Sequence, residues 1–137
     1  MGSKPIIAGL IWLLLFLLNL LGIIGLVILS SVIPNFLNYQ YLLFSTTYSI
    51  VFTVLFLILS VGLFFRRKWS FKLGIAIPII DIIAGFAFSL ILLIVPNILP
   101  KELEGQVGLG IIGTAIIAVV ELIALILVLT SKSELTK

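Results

Sequence analysis

The chain contains no cysteine and no histidine, and only 9% of its residues are charged. Without cysteine there is no disulfide, thiolate metal site or thiol nucleophile. Without histidine, the commonest metal ligand and the usual general base near neutral pH are missing. The scarcity of charge also removes the broad basic face that nucleic-acid binding requires. Eight Lys and Arg against five Asp and Glu leave a net charge of only +3, with a single short basic cluster. No nucleic-acid partner, cofactor or metal is expected. No 20–50-residue repeat and no low-complexity linker is present.

What remains is apolar. Hydrophobic residues make up 63% of the 137, and the mean hydropathy is +1.47. A soluble domain of this length buries only part of its chain and could not hide so much apolar surface. The composition therefore points to an integral membrane protein without a soluble domain. The opening "MGSKPIIAGLIWLLLFLLNLLGIIGLVIL" is too long an apolar run for a signal-peptide core, and no A-x-A-like site follows it. Ile6 stands where a myristoylation signal needs Ser or Thr. A retained first span is expected.

Crossing about 30 Å of hydrocarbon takes roughly 20 helical residues. Four segments qualify: about Ile6 to Leu29, Leu42 to Phe65, Leu73 to Val95, and Gly108 to Thr130. They lack the two-residue alternation of a transmembrane barrel. The connections "PNFLNYQY", "RRKWSFK" and "PNILPKELEGQV" are short, so sequence neighbours should run antiparallel. The expected fold class is all-α: a polytopic membrane protein, with one four-transmembrane-helix up-down bundle over residues 1–137. Pro100, followed by Glu102 and Glu104, suits the start of one short interfacial helical turn.

Charge placement gives the orientation. With four spans, one side carries Lys4, Arg66, Arg67, Lys68, Lys72, Lys132 and Lys137, and the other carries Lys101 alone. Both termini are thus expected in the cytoplasm, and the protein in the cell (plasma) membrane. Trp69 fits the inner interface, and Tyr39 and Tyr41 the outer one. The Arg66, Arg67, Lys68 and Lys72 cluster reads as a topology determinant. It also contacts lipid headgroups, at about 1 kcal/mol per basic group near an anionic surface.

Polar residues inside the spans carry the functional question. At about 100° of rotation per residue, Gly74, Pro78, Asp81, Gly85 and Phe88 share one face of the third span, with Ala84 at its border. Pro78 cannot donate to the Gly74 carbonyl, which loosens the backbone beside the acid. In the fourth span Gly110, Thr114, Ala118, Glu121 and Ala124 share a face, a row of small residues with a carboxyl in it. Asp81 and Glu121 both fall roughly 12–14 Å from the cytoplasmic ends of their spans at 1.5 Å per residue. Both should point into protein, with no Lys, Arg or His at their depth. Two ionised carboxylates there would repel, so at least one is expected to be neutral.

Ser45, Ser49, Thr53 and Ser60 form a hydroxyl stripe on the second span, widened by Thr46 and Thr47. Asn19 shares a face of the first span with Ala8, Trp12, Gly22, Leu26 and Ser30. These residues suit interhelical hydrogen bonds, worth about 0.6 kcal/mol each on average, or bonds to their own helix carbonyls. The two carboxyls admit two readings: an interhelical clasp or docking point, and a proton or ion path.

No catalytic set is visible, and the chain is not expected to be an enzyme. "GLGIIG", residues 108–113, does not follow a strand as a nucleotide-binding glycine loop must; it opens a membrane span and is read as packing. The YD and GxGD patterns of intramembrane aspartyl chemistry are absent.

The stretch "GLFFRRKWSFKLGI", Gly62 to Ile75, resembles the hinge between helices 2 and 3 of small uncharacterised four-helix prokaryotic membrane proteins. In these, a Gly-Leu pair, a basic group and Trp precede the next helix. The resemblance implies the four-span layout and no particular activity. Taken together, the sequence suggests a structural or accessory subunit of a larger membrane complex, packing through small and polar helix faces. Its expected partners are membrane lipids and other membrane subunits, or further copies of itself. The alternative is a small proton- or cation-coupled transporter or channel, working as a homo-oligomer with Asp81 and Glu121 in its pathway.

Overall fold

The computed structural model describes residues 2–33, 39–95, 98 and 101–136, apart from the side chain at 102. Four long helices account for most of it: α1 (Lys4–Val32), α2 (Gln40–Phe64), α3 (Trp69–Ile94) and, after the short α4 (Lys101–Glu104), α5 (Val107–Leu129). A 3₁₀ turn, Lys132–Glu134, follows α5. No strand occurs among the described residues. Each long helix is long and apolar enough to cross a membrane. The short α4 matches the expected interfacial turn, although Pro100 itself lies outside the described residues, as does Lys137.

Cross-helix contacts give the topology. Ser60 donates to the Gly9 carbonyl (2.8 Å), and Asn19 to the Ser49 carbonyl (2.9 Å), so α1 and α2 run antiparallel. Gly62 lies against Trp69 and Tyr41 against Phe88, which makes α2 and α3 antiparallel. Gly74 lies against Val128 and Gly85 against Thr114, and so α3 and α5 are antiparallel too. α1 also packs on α5, closing a ring in the order α1–α2–α3–α5.

The helix ends differ from the hydropathy boundaries by up to four residues, and the largest difference is at the basic hinge. Trp69 and Lys72, expected in a loop, lie on the first turn of α3, which begins at Trp69 rather than Leu73. Hydropathy marks where hydrocarbon starts. Helical hydrogen bonding continues through the polar turn outside it, as in Ser70 N–H to Arg67 O (3.1 Å) and Phe71 N–H to Lys68 O (3.2 Å).

The hinge is therefore short, and it is closed by a helix C-terminal motif. Arg67 N–H bonds Gly62 O (2.9 Å), and Arg66 N–H bonds Leu63 O (3.1 Å). This pairing places Arg66 in the left-handed region, at φ 55°, where glycine usually stands. Arginine costs about 1–2 kcal/mol more there, but its guanidinium donates to the Gly2 carbonyl (2.9 Å). The same end gathers the C-terminal segment: a Cβ on Gly2 would meet the Glu134 carboxyl, and Leu135 is buried in the main core. The Lys132 ammonium sits 5.5 Å from the Phe71 ring centroid.

That core occupies the basic-end half of the bundle. Trp12, Leu59, Leu63, Ala124 and Val128 are sealed within it, and the Trp12 ring lies 5.1 Å from that of Phe56. The opposite half holds a much smaller cluster around Ile33 and Leu42.

Close approach of α3 to α5 relies on Gly74, where any Cβ would come within 2.8 Å of Val128. Gly74→Leu should therefore destabilise the bundle by about 1–3 kcal/mol through overpacking. Gly110→Leu, at a site with no atom within 4 Å of a Cβ, should change it by less than about 0.5 kcal/mol. Equilibrium unfolding of the two variants in mild detergent measures the difference.

Candidate functional site

Polar side chains cross the bundle in one connected row. The Asn19 amide of α1 donates to Ser49 O (2.9 Å) and to the Thr53 hydroxyl (2.5 Å) of α2. One residue from Ser49, the Tyr48 hydroxyl donates to Asp81 Oδ1 on α3 (2.6 Å). Asp81 in turn shares a cavity wall with Glu121 of α5. Each helix of the ring thus contributes at least one polar group.

The two acids stand in different surroundings. Asp81 is half-buried and has the Tyr48 donor. Glu121 is only 1% exposed, and neither of its oxygens has a donor within reach. An unpaired buried carboxylate is costly. The one acid that shares a cavity wall with it brings a second acceptor and no donor.

Two cavities flank Asp81 and share Tyr48, Asp81 and Ile117 in their walls. The larger, about 280 Å³, is bounded also by Asn19, Gly22 and the Phe52 and Phe56 rings. The smaller, about 130 Å³, is bounded by Glu121, Thr114, Ala118 and Gly85. No Lys or Arg lines either one. No group of three or more acidic, His or Cys side chains able to hold a metal occurs among the described residues.

The sequence-derived candidates divide accordingly. Asn19, Ser49, Thr53, Asp81, Gly85, Thr114, Ala118 and Glu121 come together around this region. Pro78 is fully buried one turn before Asp81, inside a helix that continues through it. Gly110 does not belong to the group. It is exposed, and no atom lies within 4 Å of a Cβ built on it. Within the bundle "GLGIIG" packs on nothing described: Gly108 and Gly113 also have no atom within 4 Å of a Cβ.

The hydroxyl stripe splits. Ser60 and Thr53 make cross-helix bonds, whereas Ser45 and Thr47 bond carbonyls of their own helix. Arg67, Lys68 and Lys72 are exposed at the basic end, remote from the acids, and Arg66 serves the hinge.

Tyr48 is the residue that the sequence reading passed over. Tyrosine prefers the membrane interface, so one placed nine residues inside α2 signals a buried hydroxyl in need of a partner. Phe52 and Phe56, one and two turns further along α2, extend the same aromatic row.

No family model, curated protein or solved structure matches the chain. The reading of the site rests on its own geometry.

Tyr48→Phe removes the one donor to Asp81 seen here, and should cost about 1 kcal/mol of bundle stability. Asn19→Leu removes two cross-helix bonds and should likewise cost about 1 kcal/mol. Thr47→Val, at an exposed hydroxyl bonded to its own helix, should be close to neutral. Thermal unfolding in detergent ranks the three.

Proposed function

We propose that this is a multi-pass membrane protein whose bundle carries a proton- or cation-coupled site at Asp81 and Glu121: a small transporter or channel, acting as a homo-oligomer. The supporting observation is Glu121, sealed in the bundle with both oxygens unpartnered and set against a second acid on a cavity wall. A bundle that needed only a fastening there would be served better by Gln or Leu, since breaking or omitting a counter-charge for a buried ion costs several kcal/mol. Ionisable groups at such depth ordinarily belong to proton or ion paths.

A second reading, an accessory subunit of a larger membrane complex, has its own support. Gly25 on α1, and Gly108, Gly110 and Gly113 on α5, have no neighbour within 4 Å of a Cβ. Open glycine faces allow another helix to approach closely in lipid. The same faces would serve a homo-oligomer.

The orientation proposed places both termini in the cytoplasm of the cell membrane. Lys4, Arg66, Arg67, Lys68, Lys72 and Lys132 lie at one end of the helix ring and Lys101 at the other, as the positive-inside bias requires. The chain's lack of cysteine makes the test free of background. In right-side-out vesicles, a cysteine replacing Gly105 should react with a membrane-impermeant maleimide, and one replacing Ser133 should react only after lysis. The opposite pattern reverses the orientation.

Proteoliposomes containing only this protein should conduct or exchange protons or monovalent cations, read with a trapped pH dye under imposed ion gradients. Asp81→Asn should abolish the flux, and Glu121→Gln should reduce it about tenfold or more. Flux unchanged in both folded variants removes the acids from the mechanism. Absence of wild-type flux, with heterologous subunits retained after mild extraction, favours the accessory reading.

A further inference from the structure

We propose that the larger cavity binds a compact, singly charged organic cation with an apolar or aromatic body. The inference takes Asp81 and Glu121 as a working site, as above, and adds the chemical class of the ligand.

Charge comes first. Asp81 stands on the wall of this cavity. Behind it, in the adjoining space, is Glu121, which is 1% exposed and has no partner for either oxygen. Two acids line these spaces and no Lys or Arg does, so the complement the region lacks is positive. Asp81 already accepts from Tyr48 through Oδ1, so a cation would pair with what remains of its carboxyl. Asn19 spends its amide hydrogens on Ser49 and Thr53, and its carbonyl oxygen is an acceptor in the same wall.

The remaining walls decide which cation. Tyr48 and Phe52 are stacked, with centroids 4.3 Å apart and planes 20° apart, and Phe56 meets Phe52 edge-on at 6.0 Å. All three line the cavity. Aromatic rings near a carboxylate attract organic cations through the ring quadrupole while sheltering their apolar parts. A hard divalent cation would find too few protein oxygens, since such ions take about six or more oxygen ligands. A lipid acyl chain would leave Asp81 and Asn19 against hydrocarbon. The volume, about 280 Å³, lies at the lower edge of small-ligand sites and favours a small cation such as an aryl trimethylammonium.

The probe is phenyltrimethylammonium, labelled for equilibrium dialysis against the full-length protein in nanodiscs, with empty nanodiscs subtracted. Saturable binding at one site per bundle is expected. Its neutral carbon isostere, tert-butylbenzene, should not compete. Asp81→Asn should weaken binding about tenfold or more. Gly22→Phe should abolish it by filling the cavity from α1 while leaving both acids in place, because Gly22 lines the cavity and has no neighbour within 4 Å of a Cβ. Circular dichroism and gel filtration identify folded variants; should Asp81→Asn fail to fold, Gly22→Phe decides.

Uptake no greater than that of empty nanodiscs, equal competition by tert-butylbenzene, or undiminished binding by folded Gly22→Phe would each overturn the proposal. Saturable, Asp81-dependent binding without flux would uphold it and refute only transport. Acid-dependent proton flux without saturable binding would do the reverse.

Discussion

Glu121 is enclosed by apolar side chains, and the one charged group beside it is another acid. Like charges in a low dielectric repel strongly, and the bundle supplies no cation at that level to offset them. Much of the local architecture follows from accommodating this pair. Gly85 lets α3 come close enough for the two acids to meet, since a Cβ there would lie 2.9 Å from the Thr114 methyl. Tyr48 supplies Asp81 with a donor, and Asn19 ties α1 to the same turns of α2. Remove the acids and these polar contacts lose most of their reason to lie in one row.

The pair also sits where the packing changes character. Toward the basic end the bundle is dense: the chain termini, the α2–α3 hinge and the aromatic core around Trp12 are locked together. On the far side, Gly22 and Gly25 of α1 and the glycines opening α5 face open space. A polar site at such a seam has a rigid floor and a less constrained approach. Functional sites commonly combine these two properties, because geometry must be held while a ligand or proton still enters. The hinge shows the same economy. Arg66 takes a backbone position that suits glycine better, and its side chain fastens the N-terminal segment.

The count of long apolar helices and their antiparallel order were legible from hydropathy and loop length. Phase alone placed Asp81 with Gly85, and Glu121 with Thr114 and Ala118. Other features were hidden for physical reasons. Hydropathy is insensitive to a helical turn that extends beyond the apolar run, so Trp69 and Lys72 read as loop. A row of small residues does not reveal how far along its length a partner helix extends, so Gly110 looked like interface. The C-terminal segment carried a single apolar residue in a polar tail, Leu135, too weak a signal to announce that it is buried in the core. Tyr48 was masked by the hydroxyl row around it, Ser45, Thr46, Thr47 and Ser49; only its depth within the helix set it apart.

The difference between the two acids bears on how such a site could work. Asp81 has a donor and a share in both cavities, whereas Glu121 borders only the smaller and has no donor. A symmetric pair would bind a proton or a cation without preference for either side. An asymmetric pair separates the roles: the accessible acid meets what enters, and the enclosed acid sets how strongly a positive charge is required there. Because the Asp81–Tyr48 bond joins α3 to α2, while the Asp81–Glu121 approach joins α3 to α5, any change in what Asp81 holds also changes what fastens three helices together. Asp81 is thus the residue at which the polar contacts of three helices meet.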